Sequence, residues 1–262
     1  MIENIGPNKF TPVRVDCTTL SEAWVRLIWN CLEYGRPYLI EEGSRAGQHR
    51  MTMDFAEAVI RYPETRPFTP LAKPGQVVTV DEEKIEDYCK RYVYSPLPPE
   101  PDEHYNYSEY LYPLSKLIVD YYSTKGFNNA HPVMRVGDPF CFRDYFKPHE
   151  NESQRKTTPC LLLINPKIIS YDNSYNMIFH IVYRSWDLTN GYLCNNGGFQ
   201  ILKETMCAEI SCNTNKDIKP GPTITTCVDL HIYEEDLTAA AGWSGHDVTN
   251  LVEILKKNRG IG

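Results

Sequence analysis

No run in this 262-residue chain approaches the roughly 18 consecutive apolar residues that a membrane-crossing helix needs, so a helical membrane span is not expected. The opening stretch, MIENIGPNKFTP, lacks the basic and apolar segments of a secretion signal. Positive charge is also scarce. The 27 Lys and Arg face 34 Asp and Glu, a formal net charge of −7, which argues against a nucleic-acid coat or a protein drawn to anionic lipid. A local basic pocket stays open, because net charge says nothing about one site. The nine cysteines, at 17, 31, 89, 141, 160, 194, 207, 212 and 227, contain no CxxC pair, and no histidine falls among them at zinc-ligand spacing. An odd, scattered set without a secretion signal is expected to stay reduced, most of it as small buried hydrophobes. Internal repeats are absent as well. The chain reads as soluble and cytoplasmic, with neither nucleic acid nor membrane as partner and no metal.

What is present, 42% hydrophobic residues, is enough for one large domain or two small ones. The clearest helix is 19–35, where Ala23, Trp24, Leu27, Ile28, Cys31 and Leu32 recur at helical spacing, Ser21 can cap and Gly35 closes. Alternation around MTMDFAEAVI (51–60) predicts a strand, and the proline-rich 62–75 predicts a loop. A helix with acids at its start is expected over 81–94, then a loop over 95–104. Another helix is expected over 107–126, with Pro113 in its first turn or breaking it. HPVMRVGDP (131–139) reads as a strand and 142–159 as charged and exposed. Two strands, CLLLINPKII and NMIFHIVYRS, flank the turn-like SYDNSYN. A helix over 197–210, a strand beginning at 224 and a short helix from 246 complete an α+β pattern.

Three segments of the second half carry chemistry. TTPCLLLI places Cys160 after a proline at the mouth of an apolar strand. YRSWDLTNGYLCN offers Arg184, Ser185, Asp187 and Asn195. VDLHIYEEDL sets Asp229, His231 and Tyr233 on alternate positions, hence on one strand face. Singly, each has an ordinary reading: a packed thiol, a solvated arginine at a strand end, the polar face of an edge strand. Together they supply a thiol, an anion-binding cation, an amide for a heterocycle and groups suited to a sugar.

In this order the motifs PCL, RSWDLTNGYLCN and DLHIY resemble those of the thymidylate synthase family, which includes the pyrimidine nucleotide hydroxymethylases. The resemblance is firm over 158–234 and looser before it, through EAW and SRAG. It implies a single thymidylate synthase-like domain over 1–262, with a large twisted mixed sheet and helices packed on one face. The bare sheet face would pair with a second subunit, giving a homodimer. Cys160 would add to carbon 6 of the pyrimidine of a nucleoside monophosphate, and Arg184 would bind its phosphate and lower the pKa of the thiol. Arg45 and Ser185 would also serve the nucleotide, Asn195 the base edge, and His231 and Tyr233 the 3′-hydroxyl. Asp187 would hold the pterin of a folate cosubstrate, 5,10-methylenetetrahydrofolate or an archaeal analogue such as methanopterin. Tyr107 would match a tyrosine of the family, and Glu86, in competition with Glu82 and Glu83, would organise proton traffic. The activity implied is one-carbon transfer to carbon 5, most simply dUMP to dTMP; hydroxymethylation of a uridine or cytidine nucleotide, or a silent nucleotide-binding homologue, stands beside it.

The sequence also departs from the family. Leu161 follows the nucleophile where histidine is usual, and Asn129, Ala130 and His131 stand where an arginine pair is expected, leaving His131 or Arg135 as substitutes. SPLPPEPDEHY replaces a tryptophan-bearing segment of the folate pocket, and KKNRGIG does not match the closing tail. Asparagine at 195 favours uracil, whereas aspartate there would suit cytosine.

Overall fold

The computed structural model describes residues 10–42, 45–98, 106–146, 158–171 and 174–257. Parts of the expected loops at 95–104 and 142–159, the centre of the turn at 170–176 and Ser44 of SRAG lie outside them.

The fold is α+β with mixed sheets. Its strands are β1 (Pro12–Cys17), β2 (Arg36–Leu39), β3 (His49–Met53), β4 (Phe55–Ile60), β5 (Met134–Arg135), β6 (Leu161–Tyr171), β7 (Ser174–Tyr183), β8 (Trp186–Asp187), β9 (Ile218–Cys227) and β10 (Leu230–Tyr233). They form a six-stranded sheet, ordered β1-β4-β9-β7-β6-β5, and a four-stranded sheet, β2-β3-β10-β8. The expected strand over 51–60 is therefore two strands in different sheets, and so is the stretch beginning at 224. The two divisions are one feature. β4 pairs antiparallel with β9 as far as Ala56↔Cys227, and β3 with β10 from Met53↔Leu230, so a single long ribbon bends at Asp54–Phe55 and Val228–Asp229. The bend turns one expected sheet into two.

Helix α1 (Leu20–Tyr34) buries Ala23, Trp24, Leu27, Ile28, Cys31 and Leu32, the stripe its spacing predicts. Its cap is Thr19, whose hydroxyl accepts from the Glu22 amide, rather than Ser21. The indole Nε1–H of Trp24 donates to the Leu188 carbonyl at 2.7 Å and ties α1 to the segment after β8. Helix α2 (Glu82–Tyr88), capped by Asp81, runs into a π-helical turn at Cys89–Val93. Helix α3 (Ser108–Lys125) passes through Pro113 in its second turn without breaking. Pro113 and Glu109, whose carbonyl it leaves without a helical donor, are both exposed, so solvent can satisfy that group. The predicted strand at 131–139 shrinks to β5, between Pro132 and Gly137.

Helix α4 (Tyr192–Thr214) begins five residues earlier than predicted and is buried along most of its first half. Asn195, which the expected start at 197 leaves outside the helix, thus sits in its first turn. Glycines 197 and 198 lie inside the helix because α2 and the π turn cross it there at close range. Helices α5 (Leu237–Ser244) and α6 (Val248–Lys257) complete the chain. Along β7 and β9 burial alternates, Met177, Phe179, Ile181, Tyr183, Thr223, Thr225 and Cys227 facing inward. No helix among the described residues is long and apolar enough to cross a membrane.

Candidate active site

Cys160 stands at the start of β6, half-buried beside a cavity of 330 Å³. Tyr88, Tyr92, Tyr107, Ser185, Asp187 and Asn195 also border it. Parts of two of the three motifs therefore converge on one cavity, and the third, DLHIY, lies on the neighbouring strand of the small sheet. Tyr107 joins them from the N-terminus of α3, its phenol oxygen accepting from the Leu161 amide at 3.4 Å.

The thiol differs from six others; Cys212 is exposed on α4, far along the helix from Asn195. Cys17, Cys31, Cys89, Cys194, Cys207 and Cys227 are buried. Burial pushes the thiols of Cys17 and Cys194 up to about 11 and those of Cys89, Cys207 and Cys227 up to about 12. Cys160 keeps contact with the cavity and with a cation: Arg184 Nη2 lies 3.7 Å from its sulfur. That guanidinium is fixed by two carbonyls, Nε–H donating to Pro159 at 3.0 Å and Nη2–H to Thr158. Backbone pairing adds a further tie, from the Arg184 amide to the Cys160 carbonyl at 3.0 Å. Arginine and cysteine are thereby held as a unit across β6 and β7.

The amide of Asn195 has a defined orientation. An indole N–H only donates, so the atom 2.7 Å from Trp186 Nε1 must be the carbonyl oxygen. Its Nδ2 then donates to the Tyr88 phenol at 2.6 Å. One lone pair and one N–H of the amide remain, the donor and acceptor that a base edge needs. Aromatic faces surround it: Trp186 stacks on Tyr183 at 3.7 Å between centroids, and Tyr88 on Tyr92 at 5.3 Å. The π turn after α2 carries Tyr92 into this wall. Such walls suit a flat heterocycle.

Asp187 Oδ1 caps the turn that follows, accepting from the amides of Thr189 and Asn190 and from the Thr189 hydroxyl. Among the described residues its Oδ2 meets only the side-chain Nδ2 of Asn190, at 3.5 Å. One carboxylate oxygen thus has capacity left for an N–H donor of a pterin, and in this respect the residues fit a folate.

The small sheet supplies the sugar-suited groups. Its register places Arg50, Thr52, His231, Tyr233 and Asp187 on one face, while Met51, Met53, Leu230 and Ile232 face the core. His231 and Tyr233 meet edge to face at 4.8 Å. Asp229 precedes β10 at the bend instead of lying within the strand, and its Oδ2 accepts from Arg50 Nη2 and from the Ser185 hydroxyl, both at 2.8 Å. The Asp229 carbonyl lies 3.1 Å from His231 Nδ1 and can only accept, so Nδ1 carries the hydrogen and Nε2 is a bare acceptor. Arg50 Nη1, 3.5 Å from the same Nδ1, is then a neighbour and not a bonding partner. Burial first, and the Arg50 charge second, hold His231 below the usual histidine range and keep it neutral. Arg45 stacks on the Tyr233 ring at 3.9 Å, with its charge engaged by Glu235 at 2.7 Å.

One expected residue lies apart. Glu86 is exposed on the outer side of α2, 3.6 Å from Lys90. Ile85 and Tyr88 are the residues that α2 turns inward, so a carboxylate at 86 points away from Cys160. Glu83 is exposed too, and Glu82 accepts from the Thr69 amide and hydroxyl. No glutamate of this helix borders the cavity. His131 and Arg135 are exposed, His131 edge-on to Tyr121 and Arg135 on the opposite side of β5 from buried Met134. Arg50, Thr52, Tyr88 and Trp186 are the residues sequence reasoning missed. Only Trp186 carried a signal, as the unassigned residue inside RSWD.

No protein-family model matches the chain, and no curated protein matches it in sequence.

Proposed function

We propose that this chain transfers a one-carbon unit to carbon 5 of a pyrimidine nucleoside monophosphate, with Cys160 as covalent nucleophile, in the manner of the thymidylate synthase family. The observation that carries the reading is the convergence of Cys160, Asn195 and Asp187, from separate stretches of chain, on one cavity with Arg184 against the sulfur.

In this reading the Cys160 sulfur forms a bond to carbon 6, and the electron pair of the 5,6 double bond moves onto carbon 5 and its carbonyl. Arg184 faces the thiolate before the bond forms. The remaining lone pair and N–H of Asn195 hold the base edge as charge develops on it. Asp187 Oδ2 orients the pterin, and methylenetetrahydrofolate, when bound, supplies the carbon that carbon 5 takes up. Loss of the carbon 5 proton and departure of the folate nitrogen would leave a methylene group on carbon 5. A hydride from the departing tetrahydrofolate, which becomes dihydrofolate, would make it a methyl group, or water would make it a hydroxymethyl group, and expulsion of the Cys160 thiolate in either case restores the ring. A homodimer belongs to the same reading: Leu163, Ile178, Val182 and Ile224, on the outward face of the large sheet, stay partly exposed and would be covered by a second copy.

Mass spectrometry of the nucleotide tests it. The protein is incubated with methylenetetrahydrofolate and, in parallel, dUMP, UMP, dCMP or CMP. A methyl or hydroxymethyl gain on one of them, lost in Cys160→Ser, is the expected result. No product from any nucleotide, together with no binding of any, overturns the reading.

A further inference from the structure

The small sheet holds a second hydrogen-bonding side chain beside His231 that no described residue satisfies. Thr52 of β3 lies directly opposite His231 of β10 in the antiparallel register. Directly opposed side chains share a sheet face with Cβ atoms about 4.5–5.5 Å apart. Both residues are 3% exposed, and Thr52 Oγ1 and His231 Nε2 are each buried without a partner. On the other side of His231 its register neighbour is Asp187, which borders the Cys160 cavity. The pair therefore sits on the face that leads into the site. We propose that Thr52 and His231 together read two neighbouring hydroxyls of the sugar, so that the preferred substrate is a ribonucleotide with its 2′- and 3′-hydroxyls and not a 2′-deoxyribonucleotide. This rests on the one-carbon-transfer reading and names the sugar for it.

The donor and acceptor balance favours a diol. His231 Nε2 is a lone-pair acceptor, because Nδ1–H is given to the Asp229 carbonyl. It needs a ligand O–H. Thr52 Oγ1 both donates and accepts, so it takes a second hydroxyl in either sense. One hydroxyl cannot serve both atoms with good geometry unless it stands between the strands, whereas adjacent ring hydroxyls present two oxygens side by side. A deoxy sugar leaves Thr52 buried and unpaired, and an unsatisfied buried hydroxyl is unfavourable enough to discriminate. Sites built to bond a substrate hydroxyl reject analogues lacking it more strongly than apolar pockets reject an extra group.

Isothermal titration with UMP, dUMP, CMP and dCMP, without folate, measures the preference. For the base that binds, the ribonucleotide is expected to bind about tenfold tighter than its deoxy partner. In Thr52→Val, which keeps the shape and removes the hydroxyl, that ratio falls toward one; in Thr52→Ser it survives. Thermal melting of each variant separates a lost contact from a lost fold, and the Ser variant carries the test if Val does not fold. Equal or tighter binding of the deoxynucleotide by the wild type overturns the assignment. So does a ribose preference that persists in Thr52→Val, since another group then reads the second hydroxyl. Failure of all four nucleotides to bind overturns the underlying reading and this inference with it, an outcome distinct from binding without preference.

Discussion

Gly197→Ala sets two physical effects against each other, and the structure decides the sign. Gly197 lies inside α4, where alanine is favoured over glycine by about 0.5–1 kcal/mol through chain entropy alone. A Cβ at this position would lie 2.5 Å from Ile85 Cγ2, 3.2 Å from Ile85 Cδ1 and 3.1 Å from Phe68 Cδ2. Ile85 is fully buried, and its Cγ2 methyl hangs directly on a β-branched carbon with one preferred rotamer in a helix. It cannot swing away, so α2 must move. Overpacking of this kind is unfavourable by about 1–3 kcal/mol, which outweighs the propensity gain. A net loss of about 1–2 kcal/mol corresponds to a fall in Tm of roughly 2–8 °C for a chain of this size. Gly242→Ala is the control: it lies in α5, exposed, and its added Cβ meets nothing nearer than the Gly75 carbonyl at 3.8 Å. That variant should melt slightly higher than the wild type. Calorimetry on both variants checks the pair. Gly197→Ala melting at or above the wild type would refute the packing argument. The displacement should also be felt at the site, because Tyr88, the partner of Asn195, rides on α2 one turn after Ile85.

Asn195→Asp should keep its bond from Trp186 and exchange the remaining N–H for an acceptor, shifting the uracil-to-cytosine affinity ratio toward cytosine by about 10–100-fold; titration of the variant with UMP and CMP, or their deoxy forms, reads it, and an unchanged ratio would separate Asn195 from the base. Trp24→Phe removes the donor to the buried Leu188 carbonyl and should lower stability by about 1–3 kcal/mol in denaturant unfolding; an unchanged midpoint would mean that water reaches that carbonyl. Lys203, fully buried on α4 and bonded to Gly221 O and Thr223 Oγ1, is pushed down by burial to about 7, so the unfolded chain binds one more proton than the native one between pH 7 and the ordinary lysine range. Stability should therefore rise with pH across that window, by up to about 1.4 kcal/mol per unit, and Lys203→Met should flatten the rise; the same slope in the variant would assign it elsewhere.

Local pattern made several elements legible before any coordinates. The apolar stripe of α1 comes from a period of 3.6 that survives into the fold because the helix packs on one side, and β6 and β7 are legible as two apolar runs about a turn. The bend at Asp54 and Asp229 was not legible. Apolar residues stand on both sides of it, Met53 and Phe55 in one segment and Val228 and Leu230 in the other, although the buried set steps by three from Met53 to Ala56 and from Cys227 to Leu230; only the pairing of the two distant segments shows that both leave one sheet at the same level. Asn195 was misplaced for a related reason. CNNGGF has the composition of a turn, yet close crossing by α2 and the π turn demands glycine in mid-helix, and packing overrides propensity there. Glu86 shows the limit for acids on a half-exposed helix: spacing says which residues share a face, but only the packing of Ile85 and Tyr88 says which face turns to the cavity. Of DLHIY, His231 and Tyr233 share the strand face that alternation predicts and Asp229 precedes the strand, while Arg50, in an alternating strand, reads in sequence as a solvated charge.

Arg50 matters because it links the bend to the sugar-suited face. It pairs with Asp229, which also takes the Ser185 hydroxyl, and Ser185 follows Arg184, which fixes Cys160. The thiol and His231 are thus joined across both sheets by the Cys160–Arg184 contact, the Arg184–Ser185 peptide, the Ser185–Asp229 bond and the bond from His231 Nδ1 to the Asp229 carbonyl. The same cluster leaves Arg50 Nε, Thr52 Oγ1, Asp229 Oδ1 and His231 Nε2 buried without partners. Buried polar atoms without protein partners are unfavourable, and a fold that carries them gains when something pairs with them. Ligand affinity and native stability therefore draw on one set of atoms here. A nucleotide at 100 times its Kd raises stability by about 2.7 kcal/mol whatever it touches. Only a ligand whose Kd depends on these atoms should lose that gain in Thr52→Val, and this connects the sugar to the bend rather than to the cavity walls.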